Sequence, residues 1–356
     1  MVTVFGKQYS RVELERHVGH LSQIAGVRMM ELKDGHEAGV RIAEFRTGSG
    51  LRFQVSLDRG MDISVADYKG MPLAWRSAVG DVHPHLYIPA GTGWLRSFAG
   101  GLMTGCGMSQ AGAACLDEGQ EFPMHGRLSH TPAYNVHAST VWNGDQCFLR
   151  LEGLVREYSV FHENLSLHRV IECELGGSVI TLRDTVSNDG SLRTPLMMLY
   201  HCNIGWPLVD AGSVLLVDTK TTEARDEQAK VGLNVAHTFS GPEPGYKEQV
   251  FFHELLSSKD GFATALLANR AIQRGIFVRF RLKELPRFIE WKMMGEGTFV
   301  VGLEPANCLT RGRSEERKRG TLQFLEPRER REFVVQIGLL EGQDQLSTFV
   351  TEHNLR

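Results

Sequence analysis

The sequence predicts an all-β protein whose antiparallel strands pack as a sandwich. From Gly26 onward, short runs of alternating apolar and polar residues are separated by turns rich in Gly, Asp and Asn, which is typical of half-buried strands. Helical stretches of ~10–15 residues between these runs are almost absent, so a parallel sheet with crossover helices is not expected. The 356 residues are enough to bury a large core without disulfide or metal staples.

The first element predicted is a short helix near the N-terminus. Ser10 and Glu13 have the spacing of a capping box, and Leu14, Val18 and Leu21 then recur on one face. We therefore expect residues 1–25 to form a helical extension. No shift in composition marks a domain boundary, so the whole chain, 1–356, is predicted to be a single domain.

The strands that follow are rich in the β-branched and aromatic residues that suit a pleated surface. The clearest of them cover residues 40–46, 51–57, 165–174, 179–186, 276–282, 288–293, 298–303 and 333–339.

Two long segments interrupt this pattern. Residues 81–124 are dense in Gly, Pro and His, and residues 221–248 contain the run GPEPGYKEQ, which is typical of a surface excursion. Long loops in a compact domain often carry binding residues, because a rigid scaffold holds them in place. A linker is less favoured, since similar strands resume on both sides.

Charge and cysteine usage exclude several classes of protein. With 39 Lys and Arg against 42 Asp and Glu, the formal net charge is -3, which provides no electrostatic basis for general binding to nucleic acid or a membrane surface. No apolar run reaches the length of a membrane span, and no secretion signal is recognisable. The six scattered cysteines form no CxxC pair and no zinc-finger spacing, so we expect a reduced, cytoplasmic protein without a structural metal.

Three residues are candidates for chemistry because each lies at a strand end or beside a Gly turn. His125 precedes Gly126, which would permit close backbone approach to a ligand, and Arg127, a fixed cation. His201 follows an apolar run, and Glu304 ends a strand before a proline. Each residue alone is more typical of a structural role. Together, a carboxylate and two imidazoles bracket neutral pH and suit acid–base work on hydroxyl groups.

Other polar residues are weaker candidates for substrate binding. Arg59 and Asp62 lie in a charged turn, where they would either bind sugar hydroxyls or pair with each other. Lys292 follows Trp291 in an otherwise apolar strand. It is predicted either to face inward beside an aromatic ring or to lie on the solvent face.

The order of three motifs resembles the aldose 1-epimerase (galactose mutarotase-like) superfamily. They are Met-His-Gly at 124–126, Tyr-His-Cys-Asn at 200–203 and Gly-Leu-Glu-Pro at 302–305. The runs RGMDI at 59–63 and GGLMTGCG at 100–107 are similar to an uncharacterised bacterial branch. The resemblance covers most of the chain. It implies a large antiparallel β-supersandwich with a sugar in an open cleft, and neither a metal nor an organic cofactor.

The resemblance also implies a role for each motif residue. Glu304 would be the general base that removes the proton of the anomeric hydroxyl, and His201 the general acid that protonates the ring oxygen. His125 would hydrogen-bond and orient the sugar, and Asn203 is a further candidate for substrate binding. This mechanism requires an ionised Glu304 and a protonated His201.

Departures from the family pattern bear on the substrate. Residues 202–205 replace the aromatic pair of classical mutarotases, and their sugar-binding Asp has no clear counterpart. Ala99 stands where the hexose-6-phosphate branch has Arg, which favours an unphosphorylated monosaccharide or sugar acid. We expect an isomerase that exchanges sugar anomers, and a homodimer is possible. The alternatives are a non-catalytic carbohydrate-binding or sensing protein and, less favoured, a lyase or glycosidase, because hydrolysis needs a second suitably spaced carboxylate.

Overall fold

A computed structural model describes residues 1–356 and confirms the predicted all-β class. Strands account for 48% of the residues and helices for 13%. Every strand pair in the two largest sheets is antiparallel, as expected for a chain without long crossover helices.

The elements are numbered here in chain order. The strands are β1 Val2–Val4, β2 Lys7–Tyr9, β3 Gly26–Glu31, β4 Arg41–Arg46, β5 Leu51–Ser56, β6 Asp62–Tyr68, β7 Met71–Pro72, β8 Thr104–Met108, β9 Cys115–Asp117, β10 Gln120–Phe122, β11 Tyr134–Asn143, β12 Gln146–Tyr158, β13 Asn164–Glu174, β14 Val179–Asn188, β15 Thr194–Pro195, β16 Met197–Gly205, β17 Val214–Val217, β18 Thr219–Ala224, β19 Gln249–Leu255, β20 Phe262–Asn269, β21 Arg274–Arg281, β22 Arg287–Gly295, β23 Thr298–Ala306, β24 Phe324–Leu325 and β25 Arg330–Glu341. The α-helices are α1 Arg11–Glu15, α2 Glu227–Val231, α3 Arg313–Lys318 and α4 Gln343–Glu352.

Three sheets form most of the structure. The largest has eight strands in the order β11-β12-β13-β14-β25-β21-β20-β17, the second has six in the order β18-β19-β22-β23-β16-β8, and the third runs β3-β4-β5-β6-β7. Residues buried in β12 to β14 alternate with partly exposed ones, so one face of the eight-stranded sheet lies in the core. The main core of 60 buried residues draws on all three sheets.

The six-stranded sheet is covered on both faces. All nine residues of β16 are buried, which a sheet with one solvated face would not allow. One face contributes to the main core, and the other packs against a second cluster of 12 buried residues that includes Trp94, Phe98 and Ile289. This second cluster lies beside the candidate active site.

The eight predicted strands agree with the structure to within three residues at either end. At the N-terminus the capping box of Ser10 and Glu13 forms, but α1 ends at Glu15, before Val18. Residues 1–25 also contain the hairpin of β1 and β2, which the sequence analysis missed because three-residue strands are too short to show a period. The two long interruptions are partly structured, since they contain β8 to β10 and most of β18 with α2.

Neither disulfides nor long helices contribute to this fold. All six cysteines are free, and no α-helix has the length and apolarity needed to cross a membrane. The structure is held by its apolar cores and by 208 backbone hydrogen bonds.

A buried ion pair connects the two largest sheets. The Arg169 guanidinium on β13 is fully buried and donates to the Asp184 carboxylate on β14 through Nε at 3.0 Å and Nη2 at 2.7 Å. The Tyr200 hydroxyl on β16 donates to the same carboxylate at 2.8 Å, and Arg169 Nη1 donates to the Gly60 carbonyl. Asp184 therefore joins the eight-stranded sheet to the strand that carries His201.

Asp184→Asn is expected to lower the free energy of unfolding by about 3–5 kcal/mol, because it removes the carboxylate that directly binds the buried Arg169 guanidinium and leaves only Asp62, whose Oδ1 lies 3.9 Å from Arg169 Nη1. Tyr200→Phe removes one neutral donor and is expected to cost only about 1 kcal/mol. Urea denaturation of both variants measures the two losses. Equal losses would contradict the assignment of the buried charge as the dominant contribution.

Candidate active site

His201 and Glu304 face each other on neighbouring strands of the six-stranded sheet. The register pairs Leu199 with Ala306 and Cys202 with Leu303, which places His201 opposite Glu304. Directly opposed residues share a sheet face, and His201 Nε2 lies 3.2 Å from Glu304 Oε1. Both side chains are nearly enclosed, with 5% and 2% of their surface exposed. The strand register alone therefore creates a close imidazole–carboxylate pair.

His125 reaches the same place from the loop that follows residues 81–124. Its ring centroid lies 5.8 Å from that of His201 and 4.6 Å from that of Trp94. Its backbone is left-handed (φ 54°) and is held by bonds from its N–H to the Gly112 carbonyl and from the Gly107 N–H to its own carbonyl. The three residues nominated for catalysis thus lie together.

Gly126 allows the protein's own backbone to pack closely next to His125. A Cβ at this position would lie 2.3 Å from the Gln110 carbonyl oxygen and 2.5 Å from that of Gly107, and φ is +74°. Both carbonyl oxygens belong to the protein's own backbone, so only a glycine lets these chain segments pack this closely next to His125.

Aromatic side chains form one wall of the cleft. The ring centroids of Phe98 and Trp291 each lie 5.4 Å from that of His201, and Trp94 stacks on Phe98 at 4.4 Å. The cleft encloses about 220 Å³. It is lined by Trp94, Leu95, Phe98, Gly112, Ala113, Met124, His125, His201, Arg225, Glu248, Val250, Trp291, Glu304 and Thr310.

Arg225 and Glu248 supply the charged rim of the cleft, and the sequence analysis did not nominate them. Arg225 Nη2 donates to Glu248 Oε1 at 2.8 Å, and Trp291 Nε1 donates to Glu248 Oε2 at 3.0 Å. Both charged residues come from the region of residues 221–248. The only sequence signal was the prediction that this long excursion carries functional residues; nothing distinguished these two from its other charged residues.

Gly302 leaves the space in which the catalytic candidates meet. A Cβ there would lie 2.7 Å from Glu304 Oε1, 3.0 Å from Trp291 Cβ and 3.3 Å from His201 Cε1. A larger residue would therefore displace the carboxylate or the imidazole.

The structure places Arg59 and Asp62 in the framework and not in the cleft. Arg59 is buried and donates to the carbonyls of Val82 and Ser97 at 2.7 and 2.6 Å. Asp62 accepts from the Gly105 N–H at 2.8 Å. The sequence predicted that these two residues would either bind sugar hydroxyls or pair with each other. The structure shows neither arrangement, because the two side chains form no ion pair with each other and line no part of the cleft. Their hydrogen bonds compensate the cost of burial.

The other three binding candidates do not line the cleft either. Asn203 is buried next to His201, since its Nδ2 donates to the carbonyls of Gly101 at 3.0 Å and of His201 at 2.9 Å. Arg127 is exposed beside separate surface cavities. Lys292 is buried and faces inward, which is one of the two orientations predicted from the sequence. However, its Nζ donates to two carbonyls of residues 235–238 and lies 5.3 Å from the Phe239 ring, not beside Trp291.

Burial sets the charge state of the cleft. It raises the pKa of Glu304 to about 8 and lowers the pKa of His125 to about 4. Burial, reinforced by His125, lowers the pKa of His201 to about 3. At pH 7 the cleft therefore holds a protonated carboxyl and neutral imidazoles, the reverse of the charges expected from the sequence, because desolvation penalises each charged form.

Comparison with protein families identifies the chain. A family model described as a domain of unknown function (DUF4432) matches residues 37–339. The chain belongs to this family. No curated protein matches it.

Solved structures place this DUF4432 chain among mutarotase-like proteins. A "putative aldose 1-epimerase" from Klebsiella pneumoniae superimposes with a TM-score of 0.88 at 25% identity, covering 92% of this chain and 86% of that one. A galactose mutarotase-like protein from Clostridium acetobutylicum gives a TM-score of 0.62 at 11% identity, over 90% and 99% of the chains. A galactose 1-epimerase from Lactobacillus acidophilus gives 0.57 at 11% identity, over 90% and 100%. The superfamily and fold predicted from the motif order are confirmed.

The raised pKa of Glu304 predicts a specific loss of stability with pH. The unfolded carboxyl ionises near pH 4.5, whereas the folded one keeps its proton to about pH 8. The contribution of protonated Glu304 to the free energy of unfolding is therefore fully present below pH 4.5. It is lost as the pH rises through 8, at up to about 1.4 kcal/mol per pH unit. The lowered pKa values of the histidines act in the opposite direction, but only below pH 6.5.

Between pH 6.5 and 8 the free energy of unfolding of the wild type should therefore fall relative to that of Glu304→Gln, which cannot ionise. Urea denaturation of both proteins at several pH values measures this difference. Parallel pH profiles would show that Glu304 is already ionised in the folded protein.

Proposed function

We propose that this DUF4432 protein is a mutarotase-like isomerase that interconverts the anomers of an unphosphorylated monosaccharide or sugar acid. The observation that carries the proposal is the 3.2 Å approach of His201 Nε2 to Glu304 Oε1 inside the enclosed cleft. Exchange of anomers needs one group that takes a proton and a second that delivers one. An imidazole and a carboxylate within one small cleft supply both.

The lining of the cleft suits a sugar. Aromatic rings such as Trp94, Phe98 and Trp291 offer apolar faces on which the C–H face of a pyranose packs. Arg225 and Glu248 present hydrogen-bonding groups at the rim, where ring hydroxyls would lie. A mostly apolar cavity with a few convergent polar groups is the usual form of a small-molecule site.

Glu304 and His201 divide the proton transfers of ring opening between them. Glu304, as the carboxylate, removes the proton of the anomeric hydroxyl, while His201, as the imidazolium, protonates the ring oxygen as its bond to the anomeric carbon breaks. Rotation about the bond beside the new carbonyl and reclosure on the other face then give the other anomer. Reclosure reverses both transfers, because Glu304 returns its proton to the carbonyl oxygen and His201 takes one from the hydroxyl that closes the ring. No covalent intermediate with the protein is needed.

The charge state of the free cleft is compatible with these roles. A protonated Glu304 beside a neutral His201 contains the same number of protons as the ion pair that the reaction requires. Transfer of one proton across the 3.2 Å gap converts one state into the other. Hydrogen bonds from sugar hydroxyls to the carboxylate favour its charged form, so substrate binding itself would generate the base and the acid.

His125 is proposed to orient the sugar and not to exchange protons. Burial keeps its imidazole neutral, and its Nδ1 is buried without a hydrogen-bond partner. An unpaired buried nitrogen is costly, and a sugar hydroxyl in the cleft would satisfy it. The Nδ1 of His201 is likewise unpartnered.

A second candidate function is non-catalytic carbohydrate binding. The protonated state of Glu304 in the free cleft at pH 7 favours it, because a carboxylic acid is a poor general base. Binding of a sugar without acceleration of anomer exchange would support this alternative over the isomerase.

Glu304→Gln should reduce anomer exchange by about 10²–10⁴-fold, because it removes general-base catalysis while keeping side-chain volume. His201→Asn should cause a loss of similar size. The rates are measured by NMR exchange spectroscopy with a panel of monosaccharides and sugar acids. Glu254→Gln, on the exposed part of β19, is the matched control and should retain the wild-type rate. Wild-type exchange in Glu304→Gln would exclude it as the base.

Gly302→Ala should also reduce exchange, by about 10²-fold, because the new methyl group displaces the reacting side chains by a fraction of an ångström to about 1 Å. Gly19→Ala, where a Cβ meets nothing within 4 Å, is the control. Thermal unfolding of both variants separates a loss of geometry from a loss of fold. An unchanged rate in Gly302→Ala would show that the pair tolerates displacement.

A further inference from the structure

A second cluster of titratable residues lies outside the cleft. The cluster consists of His237, His253 and Glu290, each of which offers one potential ligand atom, and these atoms lie within 4.8 Å of one another. His253 Nε2 lies 3.0 Å from Glu290 Oε2. His253 and Glu290 are buried, and His237 is half-buried.

The cluster occupies the opposite face of the six-stranded sheet from the active site. Glu290 and Trp291 are consecutive on β22, so their side chains point to opposite faces, and Trp291 lines the cleft. On β19, Phe252 packs in the apolar cluster beside the cleft, whereas His253 faces the other way. His237 comes from the excursion between β18 and β19.

Two buried polar atoms of the cluster have no partner. Glu290 is fully buried, yet its Oε1 accepts no hydrogen bond, and His237 Nε2 is likewise unpaired. Unsatisfied atoms of this kind are rare in native proteins, because each costs its full desolvation energy. An unpaired carboxylate oxygen and an unpaired imidazole nitrogen in one buried cluster are candidate metal ligands.

We propose that His237, His253 and Glu290 form a binding site for a divalent transition metal of the zinc type. Two imidazoles and one carboxylate are a known ligand set for Zn²⁺, with metal–ligand distances of about 2.0–2.2 Å. Tetrahedral ligands at such distances are separated by about 3.4 Å. This value lies between the 3.0 Å from His253 Nε2 to Glu290 Oε2 and the 4.8 Å upper limit among the three ligand atoms. A small movement of the half-buried His237 would therefore complete the site. A water molecule would supply the fourth ligand.

The surroundings of the cluster support this assignment. His253 Nδ1 lies 3.1 Å from Thr222 Oγ1, and a second hydrogen bond of this kind holds a metal-bound imidazole in the correct tautomer. The nearby cation, Lys292, is held by carbonyls of Val235 and Thr238 and not by the cluster. Lys292 therefore forms no bond that would occupy the Glu290 carboxylate.

The metal would brace the excursion that borders the active site. His237 lies between Arg225 and Glu248, which both line the cleft, whereas His253 and Glu290 belong to the sheet. One ion bound by all three would fix the excursion to β19 and β22. We assign the site a structural role, because Trp291 and the sheet separate it from the cleft.

The experiment uses the full chain without a polyhistidine tag, stripped with EDTA and titrated with Co²⁺ and Zn²⁺. We expect one equivalent of Co²⁺ with d–d absorption bands, displacement by Zn²⁺, and a higher thermal midpoint with Zn²⁺. His237→Ala should still fold, because His237 is only half-buried. It should lose more Zn²⁺ affinity than the ~10–100-fold that is typical when a residue supporting a metal ligand is removed. Thr222→Val should lose about 10–100-fold.

The double variant His125→Asn/His201→Asn is the control, because the active site contains the other group of two histidines and a glutamate. It should bind Zn²⁺ with wild-type affinity. The proposal is overturned if His237→Ala binds as tightly as the wild type, if the wild type binds no stoichiometric metal, or if the cleft double variant loses binding. None of these readouts depends on sugar turnover, so failure of the metal site and failure of the isomerase proposal are distinguishable.

Discussion

The active-site geometry depends on a buried ion pair that lies outside the cleft. Arg169 and Asp184 join two strands of the eight-stranded sheet, and the Tyr200 hydroxyl bonds to the same carboxylate from the six-stranded sheet. Because Tyr200 and His201 are consecutive on β16, anchoring the phenol in the interior directs the imidazole to the opposite face. Burial makes this anchor rigid, since breaking the pair inside the protein would leave a buried charge without a bonded partner.

The same desolvation sets the chemistry of the cleft. A carboxyl group in water is ionised at neutral pH, but the enclosed position of Glu304 raises its pKa to about 8, near the pH at which an enzyme works. Groups whose protonation is balanced near the working pH are the most effective proton carriers. The covered outer face of the six-stranded sheet therefore serves function as well as stability. The aromatic side chains that line the cleft contribute to this desolvation, and they are the surface on which the proposed sugar would pack.

Opposite faces of one sheet carry two groups of similar composition. His125, His201 and Glu304 meet on one face, and His237, His253 and Glu290 meet on the other. They differ in geometry. The ligand atoms of the second group converge within 4.8 Å, whereas the first group opens into a cleft among aromatic rings. The excursion between β18 and β19 contributes to both, since it supplies Arg225 and Glu248 to the cleft and His237 to the other face.

The sequence by itself determined the fold class and the positions of eight strands, and it nominated the three residues that meet in the cleft. Strand periodicity is a local property, and the motifs around His125, His201 and Glu304 preserve their order along the chain. It did not determine which other polar residues join them. Arg59 and Lys292 have partners supplied by distant backbone carbonyls.

Only the tertiary structure decided the aromatic wall, the Arg225–Glu248 rim and the cluster of His237, His253 and Glu290, because sheet register and long excursions bring together residues that no sequence spacing relates. The charge state of Glu304 was also decided there, since desolvation depends on what surrounds the carboxyl in three dimensions.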